Sequence, residues 1–198
     1  MTRIAVLVSG GGTNLQALID ARDRGELGGS ELSLVISSKA GVQALERAQK
    51  AGIKTKTIER KKHEDIAAFD HAIAAALSEE KIDLVVLAGF LSVLGQETLQ
   101  LFKDRIINVH PALIPSFSGK GFYGLNVHKA VLEYGVKVTG ATVHFVNDVV
   151  DGGKIILQKA VDVLPDDTPE TLQQRVMREG EWVILPKAVA MFCGGEIK

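Results

Sequence analysis

The sequence predicts an α/β protein: a doubly wound, mostly parallel open sheet, finished by a C-terminal antiparallel hairpin and a terminal helix. Three observations lead there. From Ile4 to His110, apolar runs rich in Val, Ile and Leu alternate with stretches whose apolar residues recur every three or four positions. The first run breaks into Ser9-Gly10-Gly11-Gly12-Thr13-Asn14, a strand-to-helix turn. After Lys137, two strand-like runs follow each other across a turn with no helix between them.

Ile4 to Val8 is continuously apolar, as a strand covered on both faces must be. The glycines then lead into a helix with Leu15, Leu18 and Ile19 on one stripe. Leu32 to Ile36 repeats the strand pattern, and a helix with Val42, Leu45 and Ala48 on its stripe stops at Gly52. A short strand, Lys54 to Ile58, precedes the charged run Glu59 to Asp65, which opens a helix carrying Ile66, Phe69, Ile73 and Leu77. Ile82 to Phe90 is the most apolar strand and belongs at the sheet centre, and Ile106 to Val109 is the tail of another. Ser116 to Gly124, rich in glycine and aromatics, reads as a mobile cover over the strand ends. A helix from Leu125 to Tyr134 follows, then strand-like Lys137 to Val146, the turn Asn147 to Gly153, and a returning strand at Ile155 to Leu157. Thr168 and Pro169 form the N-cap and first position of a last helix, which Pro186 should kink or divide.

With 198 residues, 46% hydrophobic and 24% charged, the chain has the composition of one well-buried domain spanning residues 1–198. A net charge of -1 lacks the basic footprint of a nucleic-acid binder. The apolar run at the start is too short for a signal or spanning segment, so no membrane partner is expected. Cys193 is the only cysteine, which excludes an internal disulfide and suits a reducing cytoplasm.

Right-handed crossovers bring the C-terminal ends of parallel strands to one edge, where open sheets of this kind hold ligands. That edge should collect Gly10 to Asn14, Leu91 to Leu94, and Asn108 with His110. Three glycines before a helix can turn main-chain N–H groups toward a phosphate or carboxylate, although a plain tight turn has the same pattern. Leu91 to Leu94 can line a pocket for a flat ring or pack in the core. Asn108 and His110 fall two apart on one side of a strand, so an amide and an imidazole aim at a common point. Asp151, from a distant loop, can set the charge of that imidazole; His-Pro after a strand also occurs as loop punctuation. A metal set of His110, His144 and Asp151 lacks the usual close ligand spacing, and no metal is expected.

Asn108-x-His110 at a strand end, Asp151-Gly152-Gly153 some forty residues later, and Ser9 to Asn14 together resemble the phosphoribosylglycinamide formyltransferases, with Leu87 to Leu91, His144-Phe145-Val146 and Glu181 extending the resemblance over nearly the whole chain. Asn-x-His with a distal Asp marks the wider class of folate-dependent formyltransferases. The resemblance implies a Rossmann-like formyltransferase fold and transfer of a formyl group from 10-formyltetrahydrofolate, the co-substrate, to the amine of glycinamide ribonucleotide. It implies that Asn108, His110 and Asp151 are catalytic, and that Gly11, Gly12, Thr13, Asn14, Leu15 and Glu181 hold the ribonucleotide. Leu91, Ser92, Val93, Leu94, Asn108 and Asn147 would then surround the folate. Partners would be small-molecule substrates, with the chain a monomer or homodimer.

The chain departs from the family pattern in three places. The Ser116 to Gly124 loop is longer than in many relatives, Ile66 stands where some carry an arginine toward the folate tail, and Gly180 interrupts a helix beside Glu181. A formyltetrahydrofolate deformylase is expected to carry an extra N-terminal domain, and a methionyl-tRNA formyltransferase an RNA-binding one. From another class, a non-catalytic phosphometabolite-binding module would need the glycine loop alone.

Overall fold

The computed structural model describes residues 1–197. Its centre is a seven-stranded sheet in the order β3-β2-β1-β4-β5-β6-β7. The parallel part comprises β1 (Arg3–Val8), β2 (Glu31–Ser37), β3 (Lys54–Thr57), β4 (Leu84–Leu87) and β5 (Ile106–His110). β6 (Val138–Phe145) runs antiparallel to β5, and β7 (Ile155–Asp162) antiparallel to β6. The run from Ile82 to Phe90 thus yields a central strand of four residues, paired with β1 on one side and β5 on the other.

Alternation along each strand feeds two cores. Ile4, Val6 and Val8 of β1 pack in one cluster with Leu15 and Leu18 of α1 (Thr13–Asp23), Ala44 and Ala48 of α2 (Gln43–Lys50), and Val131 of α5 (Leu125–Tyr134). Ala5 and Leu7 pack in the other with Phe69, Ile73 and Leu77 of α3 (Ile66–Glu79). A strand side chain changes face at every residue, so an uninterrupted apolar run is what a sheet covered on both sides requires.

Three elements differ from the sequence reading. The charged run does not open α3: Arg60–Lys62 forms a separate 3-10 turn, and Asp65 caps α3 through the Ala68 N–H at 2.7 Å. A short helix, α4 (Gln96–Leu101), appears where no helix is expected. The C-terminal helix does divide, but ahead of Pro186. α6 (Pro169–Val176) passes through a π turn at Met177–Glu181 into α7 (Trp182–Cys193), with Pro186 inside α7. Gly180 lies in that π turn, where a Cβ would stand 3.1 Å from the Cβ of Ala141. Its missing side chain lets the turn approach β6, so the glycine serves packing. Among the described residues, no helix is long and apolar enough to cross a membrane.

Candidate active site

β5 delivers Asn108 and His110 to the same side of the sheet at its C-terminal end. Asp151 arrives from the turn between β6 and β7, with φ at 56°, a left-handed conformation that aspartate tolerates better than most residues. Its carboxylate lies 3.7 Å from His110 Nδ1 and 3.8 Å from His144 Nε2. These separations exceed a direct hydrogen bond and are of the kind that tightens when substrate binds. His110 is 4% exposed and the Asp151 side chain 10%, so the two groups meet where water screens them little.

Main-chain groups order the cluster. His110 Nε2 donates to the Phe117 carbonyl at 2.8 Å, and the Gly119 N–H donates to Asp151 Oδ2 at 2.8 Å. The loop expected to cover the sheet edge therefore sits directly on the histidine and the aspartate. His144 Nδ1 donates to the Phe145 carbonyl at 2.8 Å, and Asn108 Nδ2 lies 3.1 Å from His144 Nε2. Burial pushes the His144 imidazole below its ordinary pKa, against the Phe145 carbonyl and Asp151, which favour the charged form. Neutral, with its proton on Nδ1, His144 accepts from the Asn108 amide and turns one of its N–H bonds inward. An amide donor and an imidazole facing a carboxylate can polarise a carbonyl and carry a proton.

The glycine turn adds an anion-accepting end. Gly12 has φ at 72° and would place a Cβ 2.6 Å from that of Ala44, so the left-handed turn and the close approach of α2 both require glycine. No side chain caps α1. The N–H groups of Thr13, Asn14 and Leu15 are thus left for an outside acceptor at the positive end of the helix. The Leu15 side chain is fully buried in the core, so its N–H is the part that can face a ligand. Gly11 accepts from Arg47 Nε at 2.9 Å through its carbonyl. Glu181, 6% exposed, accepts from Asn14 Nδ2 at 2.5 Å. Burial lifts its pKa from 4.5 to about 7, with the Asn14 bond opposing. Asn14 Oδ1 is buried without a partner.

Leu91 and Val93 are 56% and 67% exposed, and Ser92 is half-buried. The Leu94 side chain is buried in the core with Phe69 and Phe102, the packing alternative that the sequence left open. Its neighbour Gly95 is held by Asp70 Oδ1, which accepts the Gly95 N–H at 2.8 Å and turns Leu94 inward. Asn147 Oδ1 accepts from the Val149 N–H at 3.0 Å and shapes the turn that presents Asp151.

Sequence reasoning took Ser9 only as the start of the glycine motif, with no side-chain role, and did not single out Phe117 or His128. Ser9 Oγ accepts from the Leu91 N–H at 2.9 Å and contacts Ser38 Oγ at 2.6 Å, tying the glycine turn to the Leu91 loop. Its position ahead of the glycines was a usable signal. Phe117 acts through its carbonyl, which no side-chain pattern reports. Among the described residues, no group of three His, Cys, Asp or Glu side chains is arranged to hold a metal ion.

Residues 2–189 match the formyl transferase family. The chain is 39% identical over 198 residues to phosphoribosylglycinamide formyltransferase of Haemophilus influenzae, covering all of this chain and 90% of that protein. It is 44% identical over 196 residues to the human trifunctional purine biosynthetic protein adenosine-3, covering 99% of this chain but 19% of that protein. The chain thus spans about a fifth of the length of its trifunctional relatives. The crystal structure of glycinamide ribonucleotide transformylase 1 from Symbiobacterium toebii superposes with a TM-score of 0.92 at 43% identity, covering 98% of this chain and 89% of that one.

Proposed function

The chain belongs to the formyl transferase family, and from that premise we propose that it transfers the formyl group of 10-formyltetrahydrofolate to the amine of 5'-phosphoribosylglycinamide, a step of purine biosynthesis. The observation that carries this reading is the convergence of Asn108, His110 and Asp151 on the sheet edge that also holds the open start of α1. The free N–H groups of Thr13, Asn14 and Leu15 suit the ribonucleotide phosphate. Glu181, anchored to Asn14, is the polar group beside that site. Exposed Leu91 and Val93 on one loop, with Val149 and Val150 on another, suit an apolar ring and support a folate donor.

The substrate amine attacks the formyl carbon, and the carbonyl electrons move to oxygen. An Asn108 N–H and the His110 imidazolium stabilise that oxyanion. Asp151 faces His110 Nδ1 at 3.7 Å, within reach of an imidazolium formed there. One proton leaves the attacking nitrogen and is passed, with the help of Asp151, to the folate nitrogen as its bond to the formyl carbon breaks. Each new bond is thus matched by one lost, with no redox change.

The test is the consumption of 10-formyltetrahydrofolate with and without the ribonucleotide, by wild type and by Asp151→Asn. Turnover that requires the ribonucleotide, and falls by about 10²–10⁴ in the variant, is expected. Equal turnover without it would identify a deformylase, and none in either case a binding module.

A further inference from the structure

We propose that the main-chain carbonyls of Phe117 and Phe145 lock the two buried imidazoles of the site in opposite tautomers, leaving His110 Nδ1 and His144 Nε2 as the working nitrogens. A carbonyl oxygen can only accept a hydrogen bond. The 2.8 Å contact from Phe117 therefore requires a proton on His110 Nε2, and the 2.8 Å contact from Phe145 requires one on His144 Nδ1. The remaining nitrogens face the chemistry. His110 Nδ1 looks at Asp151, and His144 Nε2 receives the Asn108 amide.

The two assignments do different work. His144, neutral at Nε2, fixes which end of the Asn108 side chain is the NH₂ group. His110, held at Nε2, has its Nδ1 proton alone to offer an oxyanion, because the other is committed to Phe117. In this respect Phe117 is a positioning residue acting through its main chain. Its φ of 51° is an outlier for a bulky side chain, a conformation that persists only where the surroundings over-determine it. Those surroundings are visible: the Phe117 ring meets Tyr134 edge-on at 6.0 Å and Phe122 at 6.4 Å, and packs against the main core. The ring clamps the residue, and the residue aims its carbonyl at His110. What the Nδ1 proton does rests on the formyl-transfer reading, whereas where the protons sit rests on hydrogen-bond geometry alone.

The experiment is two-bond ¹H–¹⁵N spectroscopy of histidine-labelled wild type at alkaline pH, with His110→Gln and His144→Gln used for assignment. His110 should show a protonated Nε2 and bare Nδ1, and His144 the reverse. The same tautomer on both rings, or a proton on His110 Nδ1 in its neutral form, would overturn the proposal. Initial rates then test the clamp. Phe117→Ala should lower kcat on the order of tenfold with both KM values within about twofold, while Phe117→Tyr restores most of the rate. An unchanged kcat and His110 spectrum in Phe117→Ala would remove Phe117 from the proposal. Wild type that shows the opposite tautomers but transfers no formyl group would instead sink the reaction reading.

Discussion

At the scale of single residues, His128 and Glu181 carry buried ionisable groups whose effects oppose each other. His128 on α5 is 0% exposed, and neither ring nitrogen has a hydrogen-bond partner. Burial, with His110 nearby, lowers its pKa from 6.5 to about 4. The folded chain resists its protonation, so the stability it contributes is complete above pH 6.5 and is lost as the pH falls toward 4. By linkage that loss is about 3 kcal/mol at pH 4. Glu181 is raised from 4.5 to about 7, so its neutral form contributes fully below pH 4.5 and the contribution is lost as the pH rises toward 7. Between pH 4.5 and 6.5 the two slopes have opposite sign. Relative to wild type, urea denaturation should therefore show the slope of stability against pH across that interval becoming more negative in His128→Leu and more positive in Glu181→Gln. Parallel profiles in both variants would contradict the two shifts. Neither shift was legible beforehand: a histidine and a glutamate are apolar-face residues only once their helices are placed.

At the scale of elements, α4 shows why a local pattern was insufficient. It has six residues, and Gly95 at its N-cap supplies no capping side chain. The cap comes from Asp70 on α3, a buried carboxylate that accepts the Gly95 N–H at 2.8 Å and the Thr98 N–H at 3.1 Å. Asp70→Ala should destabilise the protein by about 1–3 kcal/mol, by leaving buried N–H groups unpaired. It should also raise the KM for the folate, because Leu91 to Gly95 would lose its anchor; calorimetry and initial rates measure the two effects. A stability loss with KM unchanged would separate the cap from the ligand loop. By contrast, the start of α6 was readable from Thr168 and Pro169, since its cap is local: the Thr168 and Thr171 side chains each bond the other's N–H. Pro186 was expected to kink or divide the helix, yet α7 runs on through it. The π turn precedes it, where Gly180 allows close approach to β6.

At the scale of the whole molecule, the two halves of the candidate site are joined through Ser9. Its hydroxyl links the end of β1, Ser38 after β2, and the Leu91 loop after β4. Ser9→Ala should cost about 0.5–1.5 kcal/mol, because the Leu91 N–H and the Ser38 hydroxyl each lose a hydrogen-bond partner. It should also weaken folate binding, because the Leu91 loop loses its tie to β1, and calorimetric titration measures that directly. Equal folate affinity in variant and wild type would leave Ser9 as a packing residue only. The alternating strands and helices, the sheet with two covered faces and the antiparallel return were legible in the sequence, because apolar periodicity and chain order record which side of an element is buried. The grouping of Asn108, His110 and Asp151 came with the family resemblance, since spacing alone left it open. Only the tertiary structure decided that Phe117 and Phe145 hold the imidazole protons, that Asp70 caps α4, and that Asn14 meets Glu181. Several of those contacts join residues far apart in the chain, others run through main-chain atoms, and periodicity carries no record of either.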